Sequence, residues 1–302
     1  MTDRSCRQTA PVVFLHGTAA SPRQWHDLIG RLPHAFETYT LDLPGHAAHD
    51  FRPAQRSLSQ EAQSLVHRLR ALGRPFHLVG HSYGGALALR IAIEWPGLVR
   101  SLTMFEPAMF HLLRDGHPIE RQMHADMASL ARELRRADED GRPAEGVRRF
   151  VDFWNGPGTF DVYAPETRRK MIARMPLILA HFAALDRETW ALPDCARVAC
   201  PTLGVYGEAS PLLAQHLTRL VAGAMTGAKV LPVAAAGHLL PVTHAAAAAK
   251  LVGAHVLAAE SPAFEPRAHP GEAGPPRRKG SPPNPYAGAD PHRRDLRPPI
   301  LV

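Results

Sequence analysis

Strand-like and helical segments alternate along this sequence of 302 residues, and the alternation restricts the fold more than any other feature. Parallel strands need a crossover between them, usually a helix, so this pattern predicts an α/β fold with a mostly parallel sheet flanked by helices. The hydrophobic fraction of 45% is ample for one large core. The predicted strands are 12–15, 38–41, 76–79, 101–105, 202–206 and 229–233, and the predicted helices are 57–72, 83–94, 211–224 and 243–258.

The segment Gly-His-Ser-Tyr-Gly, from Gly80 to Gly84, lies between a predicted strand and a predicted helix. This pattern is typical of a nucleophile elbow, a sharp turn that presents a serine hydroxyl above the sheet. Glycines on both sides avoid the clashes that Cβ atoms would cause there. Ser82 is therefore the candidate nucleophile, although a glycine-rich turn with an inert serine would give the same five letters.

The alternation is interrupted once, between residues 110 and 198, where no strand pattern occurs. Apolar residues three and four positions apart mark one helical stripe from Ile119 to Leu134 and another from Val147 to Trp154. An insertion at this point overhangs the strand ends, so it is predicted to form a lid. We expect a core of residues 1–109 and 199–260, a helical lid of residues 110–198, and a disordered proline-rich basic tail of residues 261–302.

A serine nucleophile needs a base, and His238 is the best placed of the 18 histidines. It directly follows the last predicted strand, on a loop that returns to the carboxyl edge of the sheet; a surface-loop histidine is the alternative. An oxyanion hole needs two N–H donors. The sequence predicts those of Tyr83, the residue after the nucleophile, and Thr18, in a turn where Gly17 lets the backbone come close.

Several ordered motifs together resemble the α/β-hydrolase superfamily, specifically its capped single-domain serine hydrolase branch. The resemblance runs from about Pro11 to His255. It implies a parallel sheet, a lid inserted after the superfamily's sixth strand, and a serine mechanism without a cofactor. The elbow serine argues against the related haloalkane dehalogenases and epoxide hydrolases, which carry aspartate there. The motifs are Val12-Val-Phe-Leu-His-Gly17, then Ser21 and Trp25, Asp42-Leu-Pro-Gly-His46, the serine elbow, and Gly237-His238.

The acid of the expected Ser-His-acid triad is where the sequence departs from that superfamily. The usual position, in a Gly-x-x-Asp pattern after the strand 202–206, carries Ser210. Glu106 is our first candidate because it ends the strand next to the elbow strand, an arrangement similar to that of many haloalkane dehalogenases. Glu208 is the second candidate, and a site without an acid is the third, in which case Glu106 is a polar hinge residue.

These residues predict a serine hydrolase that cleaves a carboxylic ester or related acyl bond of a small, partly apolar substrate. Two alternatives stay open. One is C–C bond hydrolysis of β-diketone-like ring-cleavage products, and the other is a non-catalytic ligand-binding role, which the serine at position 210 suggests. Apolar residues of the insertion are as common in a lid's own core as in a pocket. The predicted pocket residues are Gly17, Met109, Phe110, Phe153 and Trp154.

Composition argues against several other classes of protein. The net charge of +7 comes from arginines that are scattered rather than gathered in a stripe, so nucleic acid is not an expected partner. No apolar run approaches the ~20 residues of a membrane helix, and the amino end lacks a signal-peptide pattern, which favours a cytoplasmic protein. Cys6, Cys195 and Cys200 lack metal-ligand spacing, so neither a metal nor a cofactor is implied. The expected partner is a small-molecule substrate, and no oligomeric state is assigned.

Overall fold

The computed structural model describes residues 9–46 and 57–261, so Cys6 and the predicted tail from residue 262 onward lie outside the described residues. Within them, six strands form one sheet in the order β2-β1-β3-β4-β5-β6, and every pairing is parallel. This confirms the predicted α/β fold. The strands are β1 Val12–Leu15, β2 Thr38–Leu41, β3 Phe76–His81, β4 Val99–Phe105, β5 Thr202–Gly207 and β6 Lys229–Val233.

Helices cover both faces of this sheet.

No helix within residues 9–46 or 57–261 is both long enough and apolar enough to cross a bilayer. The helices are α1 His26–Ile29, α2 Leu58–Leu69, α3 Tyr83–Glu94, α4 Pro118–Glu139, α5 Pro143–Asn155, α6 Thr159–Val162, α7 Pro165–Ile172, α8 Met175–Asp186, α9 Leu212–Gly223, α10 Leu240–Thr243 and α11 Ala245–Ala259.

Strand β1 shows why these apolar runs form a sheet that is covered on both sides. Its four residues are completely buried. Because strand side chains alternate between faces, Val13 and Leu15 join one apolar cluster while Val12 and Phe14 join the other. Residues of α2, α3 and α9 complete the first cluster, and residues of α1 and α11 complete the second.

Between β4 and β5 the chain contains helices and irregular segments and no strand. Helix α4 buries Met127, Leu130 and Leu134, which follow one another at the spacing of a single helical face. Helix α5 buries Val151 and Trp154 in the same way. The insertion therefore packs through apolar stripes that the sequence already displays.

The register of the sheet brings two candidate residues together. His81 at the end of β3 pairs with Phe105 at the end of β4. The next residue along each strand is Ser82 in one case and Glu106 in the other, so both lie at the same carboxyl edge of the sheet. Strand β5 continues this edge, because Phe105 pairs with Val205 on its other side.

Candidate active site

Ser82 lies on a strained turn between β3 and α3. Its backbone has φ 53° and ψ −117°, and a non-glycine residue in so sparsely populated a region costs about 1–3 kcal/mol. Hydrogen bonds hold the turn on both sides. The Ser82 N–H donates to the Phe105 carbonyl at 2.9 Å, and the Ser82 carbonyl accepts from the N–H groups of Ala86 and Ala108 at 3.0 and 3.1 Å.

Close backbone packing explains the two glycines of the elbow. A Cβ atom at Gly80 would lie 2.3 Å from the carbonyl oxygen of Gly84, and a Cβ atom at Gly84 would lie 2.3 Å from the carbonyl oxygen of Leu15. Because both obstacles are backbone atoms, no side-chain rotation can relieve such contacts. The first turn of α3 can therefore reach β1 and β3 only when both positions lack a side chain.

Glu106 and His238 form a buried pair beside this turn. The Nδ1–H of His238 donates to Oε2 of Glu106 at 2.6 Å, and both side chains are more than nine-tenths buried. Because an ionised carboxylate can only accept, the proton lies on Nδ1 and leaves Nε2 as an acceptor. That tautomer is the one that a histidine needs to serve as a general base toward a serine.

Three donors keep Glu106 in its ionised form. Its Oε1 accepts from the N–H of Gly207 at 2.7 Å and from the hydroxyl of Ser210 at 2.5 Å, in addition to the bond from His238. Burial raises the pKa of Glu106, but these hydrogen bonds outweigh burial and hold that pKa below its ordinary value. The serine at the superfamily's usual acid position thus orients a glutamate from another strand. The side chain of Glu208 is exposed.

A chain of hydrogen bonds ties the loop of His238 to the turn after β1. The Gly17 N–H donates to Oε1 of Gln24 at 3.2 Å, and Nε2 of Gln24 donates to Nδ1 of His81 at 3.1 Å. The remaining ring nitrogen of His81 donates to the carbonyl of His238 at 2.9 Å. Burial lowers the pKa of His81 to about 3, so this ring is neutral and carries one proton. His81 therefore positions the loop of His238.

The candidate oxyanion-hole residues flank Ser82. Thr18 lines the same small cavity as Ser82, and Tyr83 follows Ser82 directly as the first residue of α3. Across residues 9–46 and 57–261, no protein group accepts a hydrogen bond from the N–H of Thr18 or of Tyr83. An oxyanion hole requires donors that are uncommitted in this way.

Helix α8 of the insertion and the residue before it contact the turn after β1, which carries Thr18. Arg174, just before this helix, donates from Nη1 to the carbonyls of Ala19 and Ala20, both at 2.7 Å. Nδ1 of His181 lies 3.0 Å from the Thr18 hydroxyl, and the His181 ring stacks on that of Tyr83 with centroids 3.6 Å apart. Sequence reasoning missed Arg174 and His181, since their partners in the turn lie more than 150 positions away along the chain.

The cavity beside Ser82 is small. Its volume is about 10 Å³, which is room for roughly one water molecule. The indole of Trp154 stacks on the His238 imidazole with centroids 4.4 Å apart, so the insertion covers His238 as well as Ser82. The cavity is lined by Thr18, Ser82, Ala108, Phe110, Phe150, Trp154, His181, Phe182 and Leu185.

The predicted pocket residues take different places in the structure. Phe110 and Trp154 line the cavity. Met109 is completely buried in the apolar core, and Phe153 lies outside the lining, with its ring edge-on to Trp154 at 5.0 Å between centroids. Gly17 lies behind His81, where a Cβ atom would come within 2.9 Å of Nδ1. No feature of the sequence marks Phe150 or Phe182 as cavity residues, because apolar helix positions look alike whichever way they face.

The described residues offer no site for a metal ion, since no three His, Cys, Asp or Glu side chains converge among them. Burial raises the pKa of the thiols of Cys195 and Cys200 to about 12. Both side chains are therefore protonated at neutral pH and are poor nucleophiles.

Comparison with known proteins identifies the family to which this chain belongs. A family model described as "Alpha/beta hydrolase family" matches residues 12–251, which is most of the sequence. The chain is therefore a member of the α/β-hydrolase family.

Three curated relatives match over shorter segments. The chain is 33% identical over 100 residues to the dihydrolipoyllysine-residue acetyltransferase component of the acetoin cleaving system of Cupriavidus necator, covering 33% of this chain and 27% of that protein. It is 31% identical over 115 residues to human monoacylglycerol lipase ABHD6, covering 36% and 34%. It is 38% identical over 93 residues to the pimeloyl-[acyl-carrier protein] methyl ester esterase of Methylococcus capsulatus, covering 31% and 35%. These matches span about a third of each relative's length.

Two solved structures share the fold over nearly the whole described chain. A hydrolase from Pseudomonas aeruginosa PA01 has a TM-score of 0.65 at 22% identity, covering 83% of this chain and 91% of that one. The enol-lactonase from Burkholderia xenovorans LB400 also has a TM-score of 0.65, at 17% identity, covering 82% and 92%. At such identities the likeness is one of fold.

Proposed function

We propose that this protein is a serine hydrolase that cleaves a carboxylic ester or related acyl bond of a small, partly apolar substrate. One observation carries the proposal: the acid–base pair of Glu106 and His238, joined at 2.6 Å, lies at the sheet edge that also bears the strained Ser82. Each of the three follows a different strand, respectively β4, β6 and β3. An ordinary glycine-rich turn has no need of a buried acid and base beside it.

The mechanism that these groups support is acyl transfer through Ser82. Nε2 of His238 accepts the hydroxyl proton as the serine oxygen attacks the carbonyl carbon, and the resulting oxyanion accepts hydrogen bonds from the N–H groups of Thr18 and Tyr83. His238 then gives the proton to the leaving alcohol. Water, activated by the same base, releases the acid product. Glu106 stabilises the imidazolium that forms in each half of the reaction.

Between the described residues there is no hydrogen bond from the Ser82 hydroxyl to His238. Such catalytic contacts are often loose before a substrate binds and shorten in the complex. The cavity beside Ser82 has a volume of only about 10 Å³, too small for an ester substrate. The small cavity and the missing Ser82–His238 hydrogen bond together support a lid function for residues 110–198. In this proposal the inserted helices, or the aromatic side chains that they carry, move to admit the substrate.

Labelling with a fluorophosphonate and hydrolysis of p-nitrophenyl butyrate test the proposal directly. We expect wild-type protein to label and to hydrolyse the ester, while Ser82→Ala fails to label and lowers kcat by about 10⁴-fold or more. His238→Ala is expected to lose comparable activity. Circular dichroism and urea unfolding show whether both variants keep their fold. A wild-type protein that does not label, and whose activity equals that of the alanine variants, would remove the enzyme hypothesis.

Substitution of Arg174 by methionine tests whether the insertion helps to order the turn after β1, whose Thr18 N–H is one of the two proposed oxyanion-hole donors. The change removes the two hydrogen bonds to the carbonyls of Ala19 and Ala20. We expect kcat to fall about tenfold with little change in KM, because a mobile donor stabilises the transition state less than a fixed one. Arg169→Met, an exposed arginine in α7, is the matched control. An unchanged kcat in a folded Arg174→Met protein contradicts the prediction.

A further inference from the structure

A second, larger cavity lies in the insertion between α4 and α8. Its volume is about 320 Å³, far more than that of the cavity beside Ser82. The apolar part of its wall includes Phe110, Met127 and Phe182. A cavity of this size accommodates a small organic molecule. We refer to it as the outer cavity.

The outer cavity shares a wall with the catalytic one. The side chains of Phe110 and Phe182 line both, and their rings stack with centroids 6.0 Å apart at an interplanar angle of 29°. Phe182 is only partly buried. Because the two cavities share these side chains, a ligand in the outer cavity lies next to the cavity that contains Ser82.

Guanidinium groups dominate the charge of the outer cavity. Arg132, Arg135 and Arg187 line it, whereas Asp186 is its one acidic lining residue. The carboxylate of Asp186 is already paired, with Arg114 at 3.4 Å and with His124 at 3.8 Å.

Arg132 and Arg135 are the two lining arginines whose charge the protein leaves uncompensated. They lie three residues apart on the same face of α4, and within residues 9–46 and 57–261 neither makes an ion pair or a hydrogen bond. Like charges at this spacing on a helix repel each other and do not stabilise it. An anion placed between them would relieve the repulsion, and the planar guanidinium matches a carboxylate through two parallel hydrogen bonds.

We propose that the outer cavity binds the charged end of the substrate, which is an ester carrying a carboxylate remote from the bond that is cleaved. The hydrocarbon part lies on Phe110, Met127 and Phe182, and the carboxylate contacts Arg132 and Arg135. This proposal deepens the serine hydrolase function and rests on it. It assigns the substrate class to carboxylated esters rather than neutral ones.

Matched pairs of esters test this assignment. Mono-p-nitrophenyl adipate is compared with p-nitrophenyl hexanoate, which places the carboxylate on the acyl side. 4-Acetoxybenzoate is compared with its methyl ester, which places it on the alcohol side. In at least one pair we expect kcat/KM to favour the carboxylated ester about tenfold, and the preference to shrink as salt rises.

The double variant Arg132→Gln/Arg135→Gln is expected to abolish this preference, mainly by raising KM for the carboxylated ester. Arg132 and Arg135 are themselves exposed, and Arg136→Gln/Arg169→Gln removes the same charge from two equally exposed arginines that do not line the outer cavity. It should therefore keep the preference. Loss of the preference in both double variants would indicate a general effect of net charge and would overturn the proposal, as would its absence in the wild-type protein.

A binding measurement separates this inference from the proposed chemistry. Monomethyl adipate is titrated calorimetrically into Ser82→Ala protein and into the same protein carrying Arg132→Gln/Arg135→Gln. We expect the second protein to bind about tenfold more weakly. Equal affinity in the two, or no binding to either, overturns the proposed site whether or not the enzyme hydrolyses esters. Weaker binding without ester hydrolysis would instead remove the serine hydrolase function and keep the anion site.

Discussion

Replacement of Glu106 by glutamine is expected to lower kcat for p-nitrophenyl butyrate about 10³- to 10⁴-fold, with KM changed by no more than about threefold. The amide is nearly isosteric with the carboxylate, so the packing around it should survive. It carries no charge to stabilise the His238 imidazolium, and its NH₂ group can donate to Nδ1 and so select the wrong tautomer. The loss should therefore fall on the transition state rather than on substrate binding.

Two further variants test whether the lost activity is specific to the carboxylate of Glu106. Glu208→Gln alters an exposed side chain and is expected to leave kcat unchanged. Ser210→Asp in the Glu106→Gln background returns a carboxylate to within reach of the site, since the Ser210 hydroxyl lies 2.5 Å from Oε1 of Glu106. We expect that second change to recover at least about tenfold of the lost rate. If Glu208→Gln loses activity and Glu106→Gln does not, the acid is Glu208.

The strands of this fold were predictable because most of them are short, largely apolar runs, although β2 is only half-buried and β6 is mostly exposed. Three of the six predicted ranges, 12–15, 38–41 and 229–233, coincide with β1, β2 and β6. Strand β3 continues two residues past its predicted end, through Gly80 and His81, and β5 continues one residue to Gly207. Neither glycine nor histidine extends an apolar pattern, yet the backbone of each can still pair. Hydrophobicity therefore locates a strand better than it locates the strand's end.

The surroundings of the candidate site depend on geometry that no sequence pattern expresses. Glu106 could be chosen as the acid from its place at the end of a strand. Its left-handed backbone, with φ 47°, and its bond from Ser210 both arise from the way in which β4 meets β5. Arg174 and His181 come from a helix whose apolar pattern fixes neither its direction nor its height above the sheet. Met109 was predicted to line the pocket and is buried in the core instead, because an apolar residue that follows a strand can face either way.

Mild acid is expected to destabilise this protein, because buried histidines near the site stay neutral when folded. Burial lowers the pKa of His46 to about 2 and those of His81 and His181 to about 3. In the unfolded chain each would titrate near pKa 6.5. Nε2 of His181 has no hydrogen-bond partner among the described residues, so a proton there would bury an unpaired donor.

The sign of the pH effect follows from which state binds more protons. Since the folded pKa values lie below the unfolded one, the unfolded chain takes up protons first as the pH falls. The free energy of unfolding is therefore unaffected above about pH 6.5 and declines below it. At pH 5 each such histidine lowers it by about 2 kcal/mol, and three lower it by about 6 kcal/mol. The whole free energy of unfolding of a domain is only about 5–15 kcal/mol.

Urea unfolding followed by tryptophan fluorescence measures this decline between about pH 7.5 and pH 5, with the slope reporting the number of protons taken up. His181→Gln removes one titrating group and should flatten the decline by about one proton. His34→Gln, at an exposed position, is the matched control and should leave the slope unchanged. Equal stability at the two ends of this range would mean that these rings can be protonated inside the folded protein. In that case the neutral His81 ring that donates to the His238 carbonyl, and the neutral His181 ring that stacks on Tyr83, would both be wrong.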